Sequence, residues 1–96
     1  ERGYFTNWQS FSIFLKPEAP LTRNELMQAL LDKGIASRRG VMTSHRETAY
    51  KEYCRDLSLP RTEDACDRSI IIPLYVPMKD EDIATVIKGL RELLEP

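Results

Sequence analysis

Ninety-six residues, 42% of them hydrophobic and 30% charged, describe one small globular domain rather than a disordered chain. A net charge of -1 leaves no basic excess for a nucleic-acid binder, and no apolar run approaches a membrane span or a signal peptide. Two cysteines, Cys54 and Cys66, are too few for a secreted disulfide scaffold, so a reduced, cytoplasmic setting is expected. The first residue is Glu1 rather than methionine, as expected either of a trimmed or tagged chain or of a domain cut from a longer polypeptide.

Residues 9–15 alternate, with Phe11, Ile13 and Leu15 on one side and Ser10 and Ser12 on the other, which predicts a half-buried strand. Pro17 and Pro20 make the next stretch a loop. Thr22-Arg23-Asn24-Glu25 is a capping box, and Leu26, Met27, Leu30 and Leu31 continue it as an amphipathic helix that Gly34 closes in a left-handed cap. Residues 35–39 are short and extended. Ser44-His45-Arg46-Glu47 repeats the capping-box pattern, predicting a second helix over about 45–54 with Ala49, Tyr50 and Tyr53 on its buried side.

A brief helix is expected over about 62–67. The β-branched run Ile70-Ile71-Ile72-Pro73-Leu74 reads as a strand covered on both faces, with Pro73 either ending its pairing or sitting at an edge. Asp80, Glu81 and Asp82 complement the dipole of a last helix, which Ile83, Val86, Ile87, Leu90 and Leu94 stripe at helical spacing. The fold class is α+β: a small, mostly antiparallel sheet with helices packed on one side, in a single domain over residues 1–96. Three strands cannot bury both faces, so something else is expected to cover the second.

Arg38, Arg39 and His45 are the candidate binding residues. Guanidinium groups fork onto carboxylate or phosphate, and a helix starting near His45 would add free N–H donors. An exposed strand end with solvated charges explains the same residues. Cys54, Cys66 and His45 lack the spacing of a metal site, and no metal ligand set is assigned. The chain has no glycine-rich phosphate loop and no Gly-x-Ser-x-Gly or His-Glu-x-x-His motif, so no catalytic residue is assigned either.

Taken in order, Asn7-Trp8-Gln9-Ser10-Phe11, the helix opened by Arg23, Gly34-Ile35-Ala36-Ser37-Arg38-Arg39-Gly40, His45, Tyr50-Lys51, Ala65, Asp67-Arg68, Ile72-Pro73-Leu74 and Met78 resemble the C-terminal domain of the DegT/DnrJ/EryC1/StrS sugar aminotransferases, over nearly the whole chain. Ser37 stands where that family often has Thr, and Arg39-Gly40 where many members carry Pro and an aromatic residue.

The resemblance implies a parent enzyme of fold type I that uses pyridoxal 5'-phosphate. Such an enzyme moves an amino group, usually from glutamate, onto a keto group of a nucleotide-linked sugar. It implies an N-terminal domain that holds the cofactor and the Schiff-base lysine, and a homodimer mate. It further implies that Arg38, His45, Asn7 and Trp8 border the substrate. None of Lys16, Lys33, Lys51, Lys79 and Lys88 takes the Schiff-base position, so the 96-residue chain alone should bind no cofactor and turn nothing over. The rival from another class is a freestanding small-molecule-binding or regulatory module with an anion site at Arg38, Arg39 and His45. No nucleic acid and no membrane is expected as a partner.

Overall fold

The computed structural model describes residues 2–95. Six elements follow one another: β1 (Phe11–Phe14), α1 (Arg23–Asp32), β2 (Arg38–Arg39), α2 (Pro60–Arg68), β3 (Ser69–Ile72) and α3 (Asp80–Leu94), with a single 3-10 turn at Ser44–Arg46 between β2 and α2. The strands form one antiparallel sheet in the order β1-β3-β2. The α+β class with a small antiparallel sheet is therefore the observed one.

The sheet register sorts the side chains. Phe11 and Ile13 of β1 sit opposite Ile72 and Ile70 of β3, whereas Ser12 and Phe14 sit opposite Ile71 and Ser69. Because side chains alternate along a strand, Ile13, Ile70 and Ile72 share one face. That face meets Leu26 and Leu30 of α1 and Val86 of α3, and together with Leu15 and Ile35 they make the core. Leu26, Leu30 and Ile70 are fully buried; each contributes about 1.5–3 kcal/mol by leaving water. The apolar continuity of residues 70–74 follows from β3 being the central strand, and Ile72 is its last residue, just before Pro73.

The helix ends form as the sequence predicts for α1. The Thr22 hydroxyl accepts from the Glu25 N–H at 3.3 Å, and the Glu25 carboxylate accepts from the Thr22 N–H at 2.8 Å. At the other end Gly34 has a φ of 77°, and the Gly34 and Ile35 N–H groups reach the Leu31 and Leu30 carbonyls. This is the paired closure that a left-handed glycine allows.

The predicted helix over 45–54 does not form. Only the 3-10 turn Ser44–Arg46 is present, without a side-chain cap, and turns follow it through residue 56. The expected buried side stays largely in solvent: Tyr50 is 56% and Tyr53 89% exposed. An amphipathic helix of this length owes most of its stability to such a surface. The other boundaries move by a few residues, the short helix running over Pro60–Arg68 and the second strand shrinking to Arg38–Arg39.

The far face of the sheet is partly open. Phe14 is 51% exposed, with the Arg68 guanidinium 4.3 Å from its ring centroid. The chain after β2 closes over Ser69, whose carbonyl accepts from the Gly40 N–H and whose hydroxyl accepts from the Val41 N–H.

Candidate binding groove and the His45 strap

Adjacent residues of a strand point to opposite faces, so the two arginines of β2 leave the strand in different directions. Arg38 pairs in register with Ile71, and Arg39 with the core residue Ile70. Arg38 lines a groove of about 490 Å³ whose walls come from four places. Gln9 and Ser10 lead into β1. Ser37 precedes β2. Pro73, Leu74 and Tyr75 follow β3. Asp82, Thr85 and Val86 belong to α3.

This groove is mostly apolar with a few polar groups at its rim, the usual make-up of a small-molecule site. Arg38 is its cation. The Asp82 carboxylate beside the Tyr75 hydroxyl pushes that phenol's pKa up, first through their hydrogen bond and then with help from burial. The Ser37 hydroxyl is buried in the groove wall without a hydrogen-bond partner. Sequence reasoning placed Asp82 only at a helix terminus and did not single out Tyr75. The signal was their convergence, which depends on how β3 delivers the chain to α3.

Asn7 and Trp8 lie just ahead of Gln9. The Asn7 Oδ1 accepts from the Gln9 N–H at 3.3 Å, and the Thr6 hydroxyl accepts from the Trp8 N–H at 3.1 Å. Trp8 has a φ of 52°, an uncommon conformation for a bulky residue. Its ring stacks on Phe11 with centroids 6.1 Å apart and remains 57% exposed. The structure thus puts the Asn7–Trp8 bend on the chain that enters the Arg38 groove.

His45 is elsewhere. It lines a second concavity of about 400 Å³ with Met42, Tyr50, Cys54 and Leu59. Its side chain is only 7% exposed, and its Nε2 lies 2.8 Å from Glu63 Oε1. The bond from His45, and then the Leu59 N–H, hold the Glu63 carboxyl below the usual carboxylate range. Arg46 next to it donates to both Asp67 oxygens, at 2.7 and 3.3 Å, and from Nε to the Thr43 hydroxyl at 3.1 Å. The Arg46 bond holds the Asp67 pKa down in turn.

Glu63 and Asp67 are four residues apart on α2 and so share a face, where they take hold of His45 and Arg46 in succession. Neither was singled out as a functional residue from the sequence; an i,i+4 acid pair on a short helix, matched to an adjacent basic pair, was the available sign. Arg38 and His45 therefore stand at two concavities, and the three-residue anion cluster of Arg38, Arg39 and His45 is not assembled around one of them.

Among the described residues no group of three or more His, Cys, Asp or Glu side chains is placed to hold a metal ion, and no helix is long and apolar enough to cross a membrane.

The fold has a solved relative. The aminotransferase TlmJ from Streptoalloteichus hindustanus superposes with a TM-score of 0.80 at 23% identity, over 96% of this chain and 24% of that one. The chain thus spans about a quarter of that protein's length, and the likeness is one of fold. A family model, that of the DegT/DnrJ/EryC1/StrS aminotransferases, matches residues 2–91. By that match, which runs through both concavities and nearly from end to end, the chain belongs to the DegT/DnrJ/EryC1/StrS aminotransferase family.

Proposed function

We propose that these residues are the C-terminal domain of an aminotransferase that transfers an amino group from glutamate to a keto group of a nucleotide-linked sugar in the cytoplasm. The observation that carries this reading is the family match over residues 2–91 in a chain that spans only 24% of its solved relative. The domain's part is to supply the Arg38 groove and the His45 strap to a substrate whose reacting end is held by another domain.

Pyridoxal 5'-phosphate is assigned to that other domain. When bound, it supplies the electron sink for amino transfer. The residues present here do not fit it. Lys16, Lys33, Lys51, Lys79 and Lys88 are all exposed, and Lys33 is paired with Glu92 at 2.6 Å. An activated Schiff-base lysine needs a desolvated pocket instead. The groove's one carboxylate, Asp82, caps its own helix, accepting from the Lys79 N–H at 3.4 Å.

The shape supports a domain that docks onto the cofactor domain and onto a homodimer mate. The Cα radius of gyration is 15.7 Å, against about 12–13 Å for a compact chain of this length. Tyr4, Phe5 and Val76 are more than four-fifths exposed.

The test compares the 96-residue chain with the longer polypeptide that contains it. The chain alone should show no visible absorbance of bound pyridoxal phosphate and no amino transfer. The longer protein should show both, with glutamate as donor and a nucleotide-linked keto sugar as acceptor. Stoichiometric cofactor binding by the isolated chain would overturn the assignment. Binding of a small anion by the chain, with no cofactor in the longer protein, would favour a freestanding binding module.

A further inference from the structure

His45 is the only histidine of the chain, and its ring is held rather than free. The atom that faces Glu63 is Nε2, at 2.8 Å. The same carboxylate oxygen accepts the Leu59 N–H at 3.1 Å. With its pKa lowered by these two bonds, Glu63 is an ionised carboxylate at neutral pH and can only accept. The ring nitrogen facing it must therefore carry the proton. In a neutral imidazole the other nitrogen, Nδ1, is then an acceptor. Nδ1 has no hydrogen-bond partner among the described residues, nor is it a buried atom left unsatisfied.

The backbone under the ring is pinned as well. Arg46 forks onto Asp67, one turn further along α2 than Glu63, and also donates to the hydroxyl of buried Thr43. The ring thus has one carboxylate in front of it and anchored neighbours on the strap. The concavity it lines is otherwise walled mainly by Met42, Tyr50, Cys54, Leu57 and Leu59. A ring acceptor at the edge of such a surface has few competitors for a donor group.

We propose that Glu63 is a positioning residue: it holds His45 with Nε2–H toward the carboxylate, leaving Nδ1 to accept a hydrogen bond from a hydroxyl or ammonium group of a ligand in this concavity. The ligand half of this proposal rests on the reading of the domain as bordering an aminotransferase substrate. Residues that orient a ring in this way act through its tautomer, and the tautomer can be measured apart from activity.

The single histidine makes the measurement direct. Imidazole 15N shifts of the labelled 96-residue chain, taken where the ring is neutral, should show one protonated nitrogen, Nε2, and one bare nitrogen, Nδ1. In Glu63→Gln, whose amide can either donate or accept, the two tautomers should mix; Glu63→Asp should restore the wild-type pattern at least in part. Wild-type protein with the proton on Nδ1 would overturn the proposal without any variant, and so would a Glu63→Gln chain with an unchanged pattern.

In the longer enzyme, Glu63→Gln and His45→Ala should each lower kcat/KM by about tenfold, and the double variant should be no worse than His45→Ala. A loss in Glu63→Gln with none in His45→Ala would overturn the proposal. If the tautomer depends on Glu63 while neither variant changes kcat/KM, the substrate-bordering reading fails, and the ligand half of the proposal with it.

Discussion

Arg23 and Cys66 meet across 43 residues of sequence: the Arg23 Nη1 donates to the Cys66 carbonyl at 2.8 Å. Arg23 opens α1 yet is only 8% exposed, and the carbonyl it satisfies lies in the last turn of α2. A cation at a helix C-terminus is favourable on two counts, pairing an orphan carbonyl and opposing the negative end of the dipole. The same Nη1 lies 3.4 Å from the Ser69 carbonyl, where α2 hands over to β3. Arg23 thus ties α1, α2 and the central strand together.

Replacing Arg23 by Ala leaves that buried carbonyl without its partner, a loss of about 2–3 kcal/mol. For a domain of this size the melting temperature should fall by on the order of 10 °C. Arg23→Lys should recover only part of this, because an ammonium lacks the planar fork. Thermal denaturation followed by circular dichroism checks both, and an unchanged midpoint in Arg23→Ala would show that the tie carries no stability.

Gly40 is required by space rather than by backbone angle. A Cβ added there would lie 2.7 Å from the Ser69 Cβ and 3.2 Å from the Ser12 hydroxyl. Exchanging Gly for Ala at an unstrained, roomy position stabilises by about 0.4–1 kcal/mol through the unfolded chain. Here the overlap should win, and Gly40→Ala should destabilise by about 1–3 kcal/mol. Adding Ser69→Gly to that variant removes the obstructing atoms and should return part of the loss in a urea titration. Two losses that simply add would show that the contact is not the cause.

How much of this was legible in the sequence depended on whether the deciding contacts were local. The α1 ends were readable because Thr22, Glu25 and Gly34 act within a few residues of themselves. The stripe of α3 was readable for the same reason, although Ile83 and Ile87 stay 40% and 46% exposed. The segment after His45 was misread because its capping pattern looked equally local. Its polar side chains are instead taken by Glu63 and Asp67 of α2, and its tyrosines stay largely in solvent, Tyr50 reaching only the open concavity beside His45. Likewise Arg38 and His45, seven positions apart, invited a shared site that the turn after β2 does not assemble.

The same contacts set the acid limit of the fold. The carboxyls of Glu25, Glu63 and Glu92 are held below their ordinary value of 4.5 by Thr22, His45 and Lys33 respectively, and Asp67 is held below 3.8 by Arg46. Each binds its proton less tightly folded than unfolded. Their stabilisation is complete above the unfolded value and is lost as pH falls through the lowered native one. The melting temperature should therefore begin to drop as the pH passes below about 4.5 and continue downward. Glu63→Gln, which carries no titrating group there, should melt lower at neutral pH but lose less on acidification. Parallel curves for the two proteins would remove Glu63 from the account.

The register of β2 sets its two arginines against different residues of β3. Arg38 lines the groove with Gln9, Ser10 and Asp82, while Arg39, also exposed, lies opposite Ile70. Arg38 is among the residues lining that groove and Arg39 is not; a charged hydrogen bond from Arg38 to an anionic ligand there would be worth about 1.5–3 kcal/mol. In the longer aminotransferase proposed above, Arg38→Ala should therefore lower kcat/KM by about 10- to 100-fold, mostly through KM if the contact is uniform along the reaction. Arg39→Ala should leave kcat/KM within about twofold and shift only stability. Equal losses from the two would mean that the charge of the strand, not the facing of one side chain, attracts the substrate; raising the salt would then weaken both alike.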